Sequence, residues 1–114
     1  MLFRSAVDGS DLWIGTGNGV VKYTPATGTM VIYDDNNGMG NENVNDIVFD
    51  ANGIVWIATN GGVSRLDPAT GAITNFNGDD FGTPGENRVE SIFIDGSGTK
   101  WFGTNTGVVR YDGV

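Results

Sequence analysis

The chain has 114 residues, 14 acidic against 6 basic, and contains neither cysteine nor histidine. A net charge of −8 repels nucleic-acid phosphates and anionic membrane surfaces, so neither nucleic-acid binding nor membrane contact by this chain is expected. Without Cys or His there are no disulfides, thiolate metal sites or histidine-dependent acids, bases and pH switches, and no cofactor and no metal are expected.

The N-terminal stretch Met1-Leu2-Phe3-Arg4-Ser5 lacks the long apolar run of a signal peptide, and no window reaches transmembrane length, so the chain as given reads as soluble. Nineteen glycines spread between short apolar runs predict many tight turns and short strands. Leu2 to Asp8 forms a first strand, A, and Gly9-Ser10 turns it into strand B over Asp11 to Thr16. Gly17-Asn18-Gly19 leads into strand C, Val20 to Tyr23. Pro25-Ala26-Thr27-Gly28 reverses the chain into strand D, Met30 to Tyr33. A polar, acidic loop from Asp34 to Asn43 follows.

The order then repeats. Strand A is Val44 to Asp50, B is Ile54 to Thr59, C is Val63 to Leu66 and D is Ile73 to Phe76, with Pro68-Ala69-Thr70-Gly71 before D. After the loop Asn77 to Arg88, A, B and C recur at Val89 to Asp95, Thr99 to Thr104 and Val108 to Tyr111. Trp13, Trp56 and Trp101 mark the register: each is followed three residues later by Thr, six later by Gly, seven later by Val and nine later by Lys or Arg. Their spacings are 43 and then 45 residues, the longer period reflecting a second D-to-A loop two residues longer. No apolar spacing of three and four persists, so no α-helix is expected. Four antiparallel strands at this period predict all-β propeller blades, about three of them, in one segment spanning 1–114 with repeats near 2–43, 44–88 and 89–114. The successive apolar residues Ile47-Val48-Phe49 and Ile92-Phe93-Ile94 fit strands covered on both faces.

The run Asp50-Ala51-Asn52-Gly53-Ile54-Val55-Trp56-Ile57-Ala58-Thr59-Asn60-Gly61-Gly62-Val63-Ser64-Arg65-Leu66-Asp67, with its two copies, resembles the two-component regulator propeller repeat. The resemblance implies a sensor propeller of the kind carried by bacterial hybrid histidine kinases, many associated with carbohydrate use. It places the chain in a periplasmic or extracytoplasmic setting. It supplies no catalytic residue, and the chain is expected not to be an enzyme. Two full repeats and three strands of another do not close a propeller, which takes about four to eight blades. A homodimer completing a six-bladed ring is the expectation, against the alternative of an excerpt from a longer propeller.

The three Trp residues are expected to pack between blades. Lys22, Arg65 and Arg110 share one repeat position and are expected to form salt bridges to a nearby Asp. Asp50-Ala51-Asn52-Gly53 and Asp95-Gly96-Ser97-Gly98 read as hairpin turns rather than calcium loops. Asp79, Asp80 and Glu86 form a faint acidic grouping. In this connectivity the D-to-A loops and B-to-C turns meet at one end of the blades. That end is expected to collect Asn41, Glu42, Asn43, Glu86, Asn87 and Arg88 with Asn18, Asn60 and Asn105, a set of amides with an Arg that suits a carbohydrate or other small polar ligand. The alternative is a structural or protein-interaction scaffold with no small ligand.

Overall fold

The computed structural model describes residues 4–8, 11–78, 80 and 88–112. Their eleven strands form three antiparallel sheets, each a simple meander. Blade 1 contains β1 (Arg4–Asp8), β2 (Asp11–Thr16), β3 (Gly19–Thr24) and β4 (Thr29–Tyr33). Blade 2 contains β5 (Val44–Phe49), β6 (Val55–Thr59), β7 (Gly62–Leu66) and β8 (Ile73–Phe76). Blade 3 contains β9 (Val89–Ile94), β10 (Lys100–Thr104) and β11 (Gly107–Tyr111). The expected strands fall where the repeat placed them; Leu2 and Phe3 lie outside the described residues. The only helical element among them is one 3-10 turn, Asp35–Asn37, inside the first D-to-A loop.

The repeated threonine explains the B-to-C turn. Thr59 Oγ1 donates to the Gly62 carbonyl at 2.9 Å and accepts from Gly61 N at 3.1 Å. Thr16 and Thr104 make the same pair of bonds in their own turns. The glycine that follows leaves the turn at positive φ, 105° at Gly19 and 124° at Gly62. A Cβ on Gly62 would run into the carbonyl oxygen of Phe76 on the neighbouring strand, so the position excludes side chains twice over.

The A-to-B turn is organised by its aspartate. Asp50 Oδ1 accepts from the backbone of Asn52 at 2.8 Å and Ile54 at 3.1 Å, and Oδ2 accepts from Trp56 Nε1 at 3.0 Å. Asp95 repeats this with Ser97, Thr99 and Trp101. Blade 1 differs because its turn is one residue shorter: Asp8 pairs directly with Asp11 in the ladder. Trp13 Nε1 is buried with no hydrogen-bond partner among the described residues. Such an orphaned donor costs about 1–3 kcal/mol.

Blade 2 packs through both of its faces. Trp13 and Val20 of blade 1 meet Val44, Ile47, Val55, Ile57 and Leu66 of blade 2. On the opposite side of blade 2, Trp56, Ala58 and Val63 meet Ile92, Phe102 and Val109 of blade 3. All five residues of β6 are therefore buried. Trp13 stacks on Tyr33 at 5.8 Å and Trp56 on Phe76 at 6.0 Å, in the same arrangement. Gly15 sits two residues after Trp13 because Val44 and Ile47 press against that spot. Trp101 shares the strand position but is only partly buried, since no further blade covers that face. The expected role of Trp as inter-blade packing thus holds at Trp13 and Trp56, while Trp101 lies on an uncovered face.

Near the inner strands, side chains of blade 2 reach into blade 3. Buried Asn45 donates from Nδ2 to the Val89 carbonyl at 2.9 Å, and Asp46 Oδ2 accepts from Ile92 N at 3.0 Å. Polar residues in the apolar run of strand A thus join adjacent blades where the strands converge. Asn45→Ala, which leaves the buried Val89 carbonyl without that donor, is expected to destabilise the fold by about 1–3 kcal/mol in urea unfolding.

Burial pushes the Asp50 carboxyl upward, but the Trp56 N–H, the Asn52 and Ile54 amides and the Lys100 charge outweigh it and hold it below the usual aspartate value. A depressed folded value stabilises the protein above the unfolded-state value, and that stabilisation is lost as pH falls through the folded value. Asp50→Asn, which removes a charged acceptor in a partly solvent-screened turn, is expected to lower stability by about 0.5–1.5 kcal/mol at pH 7. The gap to wild type should close on the acid side of about pH 4; urea melts followed by Trp fluorescence from neutral to acid pH measure it.

Candidate functional site at the loop end of the blades

The D-to-A loop from Asp34 to Asn43 crosses from blade 1 to blade 2 and wedges its last residues between two B-to-C turns. The Glu42 carbonyl accepts from Gly19 N at 2.8 Å, and the Asn43 carbonyl accepts from Asn60 N at 3.2 Å. Asn41 Oδ1 accepts from Asn43 N at 2.9 Å, and the Asn41 side chain lies against Gly61. The Asn43 side chain lies beside Gly17 and is exposed. Loop and turns meet here through backbone bonds, which leave the Asn43 side chain pointing outward.

The proposed ligand residues sort into distinct roles. Asn43, Asn18 and Asn105 are exposed at the ends of their loop or turns. Asn60 is half-buried, and its Oδ1 accepts from Asn45 Nδ2 at 2.9 Å, tying it to the inner-strand network. Asn18 occupies the second turn position, matching Gly61 and Thr106, whereas Asn60 and Asn105 occupy the first. Asn60 and Asn105 are thus repeat counterparts, and Asn18 is not one of them. Arg88 is exposed and lies 3.7 Å from Glu90, a surface pair worth about 0–1 kcal/mol that leaves the guanidinium accessible. Glu86 and Asn87 lie outside the described residues, as does most of the loop that carries them.

Sequence reasoning missed Asn45, although an Asn inside the run Val44 to Phe49 was the signal. It also missed an outer-rim cleft of about 420 Å³ between blades 2 and 3, lined by Trp56, Arg65, Thr74, Phe76 and Tyr111. Arg65 lies 5.8 Å from the Trp56 ring centre and Lys100 4.8 Å from it. Between blades 1 and 2, Ile73 of the outermost strand packs against the cluster that holds Trp13. The shared basic position divides three ways: Lys22 pairs with Asp11 at 3.5 Å, Arg110 with Asp112 at 3.0 Å, and Arg65 covers its tryptophan.

Among the described residues, Asp34, Asp35 and Glu42 bring carboxylate oxygens within 4.8 Å of one another. Oxygens of this kind suit a hard cation, yet they already serve the loop. Asp34 caps the 3-10 turn, and Glu42 Oε2 accepts from Asp35 N at 3.5 Å. Asp79 and Glu86 lie outside the described residues; Asp80 Oδ2 accepts from Asn77 N at 2.8 Å, a turn contact.

Residues 38–61 match the family profile described as Two component regulator propeller. No curated protein matches the chain. Among solved structures, it superposes with a TM-score of 0.76 and 24% identity on the extracellular domain assigned to the hybrid two component system BT3049 from B. thetaiotaomicron, over 97% of this chain and 15% of that one. The extracellular domain assigned to the hybrid system BT4673 of the same organism gives 0.61 at 18% identity, over 97% of this chain and 20% of that one. The chain therefore spans about a fifth or less of the length of these structures. What the chain shares with them is the fold, a succession of propeller blades.

Proposed function

We propose that the chain is a non-catalytic, ligand-binding segment of a sensor propeller, and that its loop end takes a small, hydroxyl-rich ligand such as a carbohydrate. The reading rests chiefly on the outward amides of Asn18, Asn43 and Asn105 at the loop end of neighbouring blades, with the accessible Arg88 guanidinium. Amides present donors and acceptors together, which matches sugar hydroxyls. Similarity to extracellular domains of two-component systems supports a sensing role, and the lack of His and Cys supports a non-catalytic one. The second reading is a scaffold for protein interaction, favoured by the apolar sheet surface around exposed Phe93 and Val108.

Titration calorimetry of the chain against a glycan panel separates the two. The binding reading expects saturable binding that weakens at least about tenfold, roughly 1.4 kcal/mol, in Asn43→Ala and Arg88→Ala. A folded chain that binds no member of the panel would favour the scaffold.

A further inference from the structure

We propose that Asn45 fixes the side-chain amide of Asn60 with its oxygen inward and its NH2 outward, and that the loop end beside blade 3 thereby binds an uncharged carbonyl oxygen, such as the acetamido group of an N-acetylated sugar. This rests on the ligand-binding reading and names the group that one part of that site takes.

The arrangement starts from a break in strand pairing. β5 pairs with β6 at Asp46 and Ala58 and again at Val44 and Thr59, which leaves Asn45 as an extra residue between them. A bulge of this kind bends the strand and re-aims the side chain. Here it sends Asn45 into the boundary between blades 2 and 3, where the residue is 8% exposed.

A backbone carbonyl can only accept, so the 2.9 Å bond to the Val89 carbonyl decides which end of the Asn45 amide is the nitrogen. The same nitrogen meets the Asn60 side chain at 2.9 Å, and there only an oxygen can receive its other hydrogen. Asn60 is therefore oriented in turn, with Oδ1 engaged and Nδ2 left over. That nitrogen bonds to none of the described residues. It is also open to solvent, since Trp13 Nε1 is the one buried side-chain nitrogen or oxygen among them without a partner. The backbone is held as well, Asn60 N donating to the Asn43 carbonyl at 3.2 Å. What Asn60 offers at the loop end is thus a fixed donor.

Its counterpart in blade 3 is not held in this way. The extra residue of β9 at the same place is Glu90, a carboxylate with no hydrogen to give to Asn105. Glu90 lies instead 3.7 Å from Arg88. Asn60 is the turn amide whose polarity the fold has set.

A fixed donor selects for an oxygen that carries no hydrogen. Carbonyls and carboxylates both qualify, and charge separates them. Glu42 and Asp46 flank Asn45 along the chain, Glu90 follows Val89, and the whole chain carries a net charge of −8, so an anionic group is repelled. A neutral carbonyl keeps the hydrogen bond without that repulsion.

Calorimetry of the chain with N,N′-diacetylchitobiose and with cellobiose, which has hydroxyls in place of the acetamido groups, tests this. The wild type should bind diacetylchitobiose more tightly. Asn60→Asp keeps an oxygen for Asn45 and turns a second oxygen outward, so it should weaken diacetylchitobiose at least about tenfold. Cellobiose binding and the urea midpoint should not change, because a hydroxyl can donate to the new oxygen and the inner bond is kept. Asn45→Ala, which releases the Asn60 amide, should erase the preference between the two sugars. A chain that binds no member of the glycan panel would overturn the ligand-binding reading and this subsite with it. A chain that binds other glycans but not diacetylchitobiose, equal affinities for the two sugars, a preference that survives Asn60→Asp, or a lowered urea midpoint in Asn60→Asp would overturn the subsite alone.

Discussion

A sheet that is apolar on both faces has to be covered twice, and that constraint governs this chain. β6 is buried along its whole length, with Ile57 turned to blade 1 and Trp56 to blade 3. Neither face suffices alone, so a blade is stable as one of a stack rather than by itself. Truncating an indole as enclosed as Trp13 or Trp56 would cost on the order of 3–5 kcal/mol, more than any single turn contact in the chain. The tryptophan on strand B therefore determines how the remaining residues of the repeat are used.

Several of those residues serve to seat it. The aspartate ending strand A accepts the indole N–H while capping its own turn, which joins hairpin geometry to blade packing. The small residue two places after the Trp makes room for the inner strand of the next blade, as Gly15 does for Val44. The basic residue nine places on lies near the ring at Lys22 and Arg65. Phe76 and Tyr33 then stack on the Trp of their own blade from strand D, so each Trp is packed by its own sheet before the neighbour arrives.

This division explains what was legible in the sequence. Strand order, turn positions and blade count follow from Gly, Thr, Asp and Trp at fixed offsets, because each has a backbone or packing task specific to its place. Where one copy departs from the offsets, the consequence is three-dimensional and cannot be read along the chain. The shorter first turn looks like a trivial deletion until Trp13 Nε1 is seen buried without a partner among the described residues, where Trp56 has Asp50. Asn18 looked equivalent to Asn60, yet a shift of one position places it differently in the turn and leaves it out of the Asn45 network. Asn45 and Asp46 were visible as polar letters in an apolar run, but their partners, Val89 and Ile92, lie a full repeat away.

The candidate site was legible in outline for a different reason. Connectivity alone places D-to-A loops and B-to-C turns at one end of a blade, and the bonds from Glu42 to Gly19 and from Asn43 to Asn60 follow from it. Which side chains remain outward there depends on which the backbone network has already engaged. Asn60 is drawn inward and Asn43 is not. The residues that recur in every copy serve the blade, so the side chains left outward at this end are chiefly those that do not recur. The repeat also varies on the sheet face: blade 2 has Ser64 and Asn75, which bind the incoming loop, where blade 1 has the apolar pair Val21 and Ile32.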